Sequence, residues 1–149
     1  MKVVIVLDEE LPLGLLANAA AALAFSVSPS LPDCVGAAVS DRSGDRHPGI
    51  TNIPLPILAA PATRLAELRE VAAYAKNVSC TDFSDTAQRS KNYADYAIAI
   101  GKAAPESIRY LGLCIYGEDA TVRSLTGNLP LLGSREVGVQ KSATDHHLA

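Results

Sequence analysis

Cysteine is scarce and poorly placed for a metal. Cys34, Cys80 and Cys114 are three in 149 residues, an odd number, with no CxxC pair and none of the spacing of a zinc site. They read as reduced, buried thiols of an intracellular protein. Positive charge is in deficit as well: 13 lysines and arginines stand against 16 acids, for a net charge of −3 and a pI near 5.5. A nucleic-acid partner would have to be held by a local basic patch against the overall field, which argues against tRNA or DNA. Long unbroken apolar runs are also missing. Asp8, Glu9 and Glu10 cut off the apolar run from Val3 to Leu7 too early for a secretory signal. Prolines, Gly14, Asn18 and several serines interrupt the uncharged stretch between Leu11 and Asp33, which reads as too broken to span a bilayer. No Gly-rich phosphate loop, GxSxG elbow, HExxH pair or Walker lysine occurs. The expectation is a cytoplasmic protein without a membrane segment, cofactor or metal.

What is present is core-forming: 48% of the residues are hydrophobic, enough for one compact core in a chain of this length. A single α/β domain is expected over residues 1–133, followed by a polar tail over 134–149 that is mobile from Ser142. The β-branched run from Lys2 to Leu7 predicts a central strand covered on both faces. Leu15 to Val27, Ala-rich and without charge, predicts a helix buried nearly all round, with Gly14 allowing close approach before it. Cys34 to Val39 reads as a strand ended by the turn residues Asp41 to Asp45. Ile53 to Leu58, carrying Pro54 and Pro56, reads as an extended segment confined to a sheet edge. Thr63 predicts a cap for an amphipathic helix through Leu65, Leu68, Val71, Ala72 and Ala75. Then come a short strand from Val78 ending at Asp82, an ambiguous stretch from Ser84 to Asn92, and a helix from Tyr93 to Lys102. A last strand from Ile108 to Tyr116 is closed by Gly117, and a helix from Glu118 to Leu125 has its acids early, where the macrodipole favours them.

Chemistry must therefore come from polar residues at strand ends and helix starts, where open α/β sheets place ligands. Asp82 has two readings, a general base or water-orienting carboxylate and a helix cap or Asx-turn; Asp85 shares both. Asn18, in the first turns of an uncharged helix, either faces a pocket or bonds locally. The acidic loop Asp8, Glu9, Glu10 either gathers a cation or is solvated. His47 offers a proton shuttle or a surface imidazole, and His146 and His147 lie in the tail. Tyr93 and Tyr96 share one helix face, more in the manner of a core or interface stripe than of a base-stacking platform. Asp82, Asp85 and Asp95 offset Arg89 and Lys91, so no phosphate-tracking groove is visible.

Two segments carry a resemblance: the Ala-rich first helix directly after the N-terminal strand, and Thr126-Gly127-Asn128-Leu129 near the end. Their order resembles the type II peptidyl-tRNA hydrolases, whose closing motif is Thr-Gly-His-Leu. Leu15 or Leu16 stands where that family has a lysine, and Asn128 where it has the histidine. Over about Lys2 to Leu132 the chain is more similar to an uncharacterised bacterial family related to those hydrolases in fold. Shared with it are Asp82-Phe83-Ser84, Ala87-Gln88, the Tyr93 to Tyr96 spacing and Leu125-Thr126-Gly127-Asn128-Leu129. The resemblance implies an α/β fold with a small mixed β-sheet and flanking helices, type II peptidyl-tRNA hydrolase-like. The first functional expectation is a small-molecule or peptide-binding domain with Asn18, Asp82, Thr126 and Asn128 lining its pocket. The alternatives are an amide or ester hydrolase with Asp82 catalytic, and a dimeric interaction protein. A helix without charge on any side also predicts a homodimer.

Overall fold

The computed structural model describes residues 1–134. The expected polar tail, with His146 and His147, lies almost wholly outside the described residues. β1 (Lys2–Asp8) is followed by α1 (Leu13–Val27) and two single turns of 3-10 helix, Ser28–Ser30 and Pro32–Cys34. A small hairpin, β2 (Val39–Ser40) and β3 (Arg46–His47), precedes β4 (Ile57–Ala60) and α2 (Ala62–Tyr74). β5 (Val78–Ser84), α3 (Asp85–Arg89), α4 (Tyr93–Lys102), a 3-10 turn at Pro105–Ser107, β6 (Tyr110–Gly117) and α5 (Asp119–Thr126) complete the order. The four main strands lie as β4-β1-β6-β5, with β1 parallel to β4 and β6 antiparallel to both β1 and β5.

The mixed sheet carries helices on both faces, as expected, and β1 is central because its side chains are apolar on both sides. Val4 and Val6 enter one core with Leu65, Leu68 and Ala72 of α2 and Val122 of α5. Val3, Ile5 and Leu7 enter the other with Ala19, Leu23 and Val27 of α1. Each fully buried valine, leucine or isoleucine among them contributes roughly 1.5–3 kcal/mol. Gly112 is what lets α1 sit so close, since a Cβ there would lie 2.7 Å from Leu7 Cδ2 and 3.0 Å from Leu23 Cδ1.

Several expectations change. α1 is buried along one stripe only: Leu13 is 82% and Phe25 84% exposed, and Ala17, Asn18 and Ala21 are exposed too. Its helix runs unbroken into the 3-10 turn, so residues 13–30 are long and apolar enough to cross a membrane by length and composition, although one face packs on the sheet. Gly14 and Asn18 do not interrupt the helix; Pro12 stands at its N-cap position, and Pro29 is the first proline within residues 13–30. Thr63 is no cap; α2 starts after Pro61 without a side-chain cap, and Thr63 lies inside its first turn. In the stretch from Cys34 to Val39, Cys34 ends a 3-10 turn, Val35 makes an isolated antiparallel bridge to Thr51, and a strand begins only at Val39. Pro54 and Pro56 precede β4 rather than sit in it, and the strand is displaced to Ile57–Ala60 at the sheet edge. β5 continues past Asp82 to Ser84, whose hydroxyl accepts from the N–H of Ala87 and caps α3.

Candidate functional site

At the β5 edge of the sheet, on the α1 side, a cleft of about 420 Å³ opens between three elements. Thr81 and Phe83 of β5 form its floor, Ala22 and Ser26 of α1 one wall, and Tyr93 and Tyr96 of α4 the other. The alternation of β5 produces this floor: Val78 and Cys80 pack toward α2 while Phe83 packs toward α1. Asn92 caps α4 by accepting from the N–H of Asp95, 2.8 Å, and so fixes where Tyr93 begins. The two tyrosine rings meet edge to face with centroids 5.5 Å apart. Burial, and then the nearby Asp82 carboxylate, push the Tyr96 phenol above its ordinary value, so it remains a hydrogen-bond donor across the neutral range. Ser90 Oγ donates to the Thr86 carbonyl and Ser26 Oγ to that of Ala22, whereas the Thr81 hydroxyl has no hydrogen bond among the described residues.

The residues singled out from sequence are dispersed. Asp82 borders this cleft, but its carboxylate accepts from Arg69 Nε at 3.2 Å, and the guanidinium of Arg69 lies 5.1 Å from the centre of the Tyr110 ring. It neither caps a helix nor forms an Asx-turn. Asn18 is exposed on the outer face of α1. Thr126 is buried, its hydroxyl donating to the Val122 carbonyl at 2.8 Å, and it borders a separate cleft beside Lys2 and Leu58. Asn128 is exposed just after α5. No cleft described holds more than one of the four.

The acidic loop also divides. Asp8 is fully buried at the end of β1 and accepts from Arg109 Nη2 at 2.7 Å and from the N–H of Glu10 at 3.0 Å. The Asp8 hydrogen bond raises the Arg109 guanidinium above its ordinary value. Asp8 thus ties the β1–α1 loop to Arg109, just before β6, instead of opening toward a cation, and no cluster of metal-ligating side chains occurs among the described residues. Asp85 pairs with Arg89 at 3.5 Å and accepts from the N–H of Arg109 at 3.4 Å. His47 is exposed on the hairpin and bonded to Asp41 at 2.9 Å, which holds the Asp41 carboxyl below its usual range. Of the thiols, only Cys114 is fully buried; Cys34 and Cys80 are half-buried and all three are free. Burial pushes Cys114 up to about 12 and Cys80 up to about 11, the Asp82 charge adding to the latter.

Sequence reasoning did not find Arg69 as the partner of Asp82, nor Thr81, Ser26 and Ser90 around the cleft. The signal for Arg69 was available: a carboxylate two residues after Cys80 in a strand faces the same side as a core thiol, and a half-buried charge there requires a cation.

A four-stranded mixed sheet between helical layers, with an aromatic and hydroxyl-lined cleft at one edge, defines a small α/β sandwich domain. The chain belongs to the family described as "Protein of unknown function (DUF2000)", whose model matches residues 1–133. Among solved structures it is similar to a protein of unknown function from Agrobacterium tumefaciens strain C58, with a TM-score of 0.77. That likeness covers 87% of this chain and 96% of the other at 14% identity, and is a likeness of fold. No curated protein matches the chain.

Proposed function

We propose that the protein is a binding domain for a small molecule or peptide, seated in the cleft between α1, β5 and α4. The observation that carries this reading is the cleft itself: about 420 Å³, within the range of ligand pockets, with three aromatic rings and, among the described residues, a Thr81 hydroxyl without a hydrogen bond around one space. Among the described residues no histidine, cysteine or lysine lines it, so it offers surface and hydrogen bonds rather than a nucleophile with a base. The test is a screen of neutral aromatic amides and short peptides, followed by amide and methyl NMR shifts. Shifts gathered at Thr81, Phe83 and Tyr96, and lost in Tyr96→Ala, are the expected result. Shifts gathered at another cleft, or none, would overturn it.

The fold supports the type II peptidyl-tRNA hydrolase kinship in its central N-terminal strand, its following Ala-rich helix and its closing Thr126-Gly127-Asn128-Leu129. The cytoplasm is the proposed location. One observation favours a second reading, that of a dimeric interaction protein: the outer face of α1 is uncharged and exposed from Leu13 to Phe25.

A further inference from the structure

We infer that the free edge of β5 binds an extended peptide as a fifth strand of the sheet, with its alternate side chains acidic toward Arg69 and aromatic toward the Tyr93–Tyr96 cleft. This deepens the reading of the cleft as a ligand site and rests on it. The two edges of the sheet are finished differently. Along β4, the chain's own closing segment covers the edge: the N–H of Ala59 donates to the Pro130 carbonyl, and that of Leu132 to the Ile57 carbonyl. β5, at the other end, pairs only with β6 among the described residues. The N–H of Glu118 donates to the Asn77 carbonyl, so by antiparallel alternation Val78, Cys80 and Asp82 turn their N–H and C=O groups outward. None of these groups is bonded to another part of the backbone among the described residues. Natural edges are commonly protected by lysine, proline or a covering segment. Val78–Ser84 contains neither residue and bears only a bulge at Phe83–Ser84 and Asp82, whose carboxylate is drawn in by Arg69.

Recesses lie on both sides of this edge, as side chains of period two require. On the α1 side is the aromatic cleft; on the α2 side a second recess of about 280 Å³ is bounded by Arg69, Ala73 and Cys80. A strand added to β5 sends every other side chain into each. The first recess is uncharged apart from Asp82, which turns away to Arg69, and so selects an aromatic or aliphatic side chain. The second presents a guanidinium whose side chain is 43% exposed, and so selects a carboxylate. A second copy pairing through its own β5 matches neither: on the aromatic side it offers Ser79 and Thr81, its Phe83 being packed into its own core against α1, and its Asp82 is already held by Arg69.

The probe is an acetylated, amidated heptapeptide alternating glutamate with phenylalanine, compared with the same peptide N-methylated at the nitrogens that would pair. The expected result is binding with slowed hydrogen exchange at the Val78, Cys80 and Asp82 amides. N-methylation should weaken it by about tenfold or more, the scale of one or more backbone hydrogen bonds. On the wild-type protein a glutamine–phenylalanine version should bind several-fold more weakly than the glutamate peptide, and that difference between the two peptides should disappear in Arg69→Gln. Equal binding of the N-methylated peptide, with shifts at Thr81 and Tyr96, overturns strand addition and leaves the cleft reading standing. So does a cleft that takes aromatic amides but not the peptide, whereas a failure of both probes removes both readings. Protection of the three amides that grows with protein concentration in the absence of peptide gives the edge to a second copy and also overturns the inference.

Discussion

Cys80 and Asp82 are two residues apart on one side of β5, and Arg69 reaches in from α2 between solvent and the strand. This arrangement has a titration consequence. Burial raises the Cys80 thiol most, the Asp82 carboxylate raises it further, and Arg69 opposes them, leaving it near 11. A thiol held protonated is a poor nucleophile, so Cys80 should resist iodoacetamide at pH 8, with its rate climbing only as the pH approaches 11. The charged form is the thiolate. Removing the nearby negative charge while keeping Arg69 must stabilise it, so Asp82→Asn should move the alkylation profile to lower pH. Arg69→Gln should move it higher. Residue-resolved mass spectrometry across a pH series measures both, and a profile unmoved by Asp82→Asn would mean that the carboxylate does not face the thiol.

Among the elements, the clearest to read in advance were those whose local chemistry and tertiary role agree. β1 is apolar at every position from Val3 to Leu7 and is buried on both faces. α4 starts beside its own cap, Asn92, and the strand preceding α5 ends at a glycine. That glycine has a strict reason: Gly117 has φ of +148°, and a Cβ on it would lie 2.2 Å from the Asn77 carbonyl oxygen, where β5 and β6 begin to pair. Gly117→Ala should therefore cost about 1–3 kcal/mol, seen as a lower midpoint in urea, because the backbone must shift at the strand end. α1 was misjudged because absence of charge does not distinguish a helix buried all round from one with an alanine-rich outer face. The cap of α3 was missed because Ser84 and Asp82 both look like turn residues, and only the pairing of β5 with β6 decides that the strand continues through Asp82. The candidate site was the least legible part. Thr81, Ser26 and Tyr96 come together only when α1 crosses β5 and α4 folds back beside it, a relation between segments with no local signature.

For the molecule as a whole, the outer face of α1 is a large solvent-exposed apolar surface that the fold leaves unpaired among the described residues. Leu13 and Phe25 are 82% and 84% exposed, and the helix between them presents Ala17, Asn18 and Ala21. Residues twelve apart on a helix lie about 18 Å apart along its axis, so an antiparallel pairing of two such helices brings Leu13 of each copy against Phe25 of the other. In such a pairing the alanines between them would permit close approach, and Asn18 would fall near the two-fold axis, with its amide placed to bond across it. A stable interface requires about 800 Å² from each partner, and an aromatic ring supplies 150–250 Å² of that when covered, so Phe25 is the side chain on which this pairing should depend. Sedimentation at micromolar concentration should show a dimer. Phe25→Glu should give a folded monomer whose melting temperature falls only by the lost association energy and no longer depends on protein concentration, since a side chain this exposed contributes little to the fold of one copy. A wild-type monomer under those conditions rules out the α1 pairing. A dimer that survives Phe25→Glu places the contact on another surface, and the uncovered β5 edge is then the next to examine.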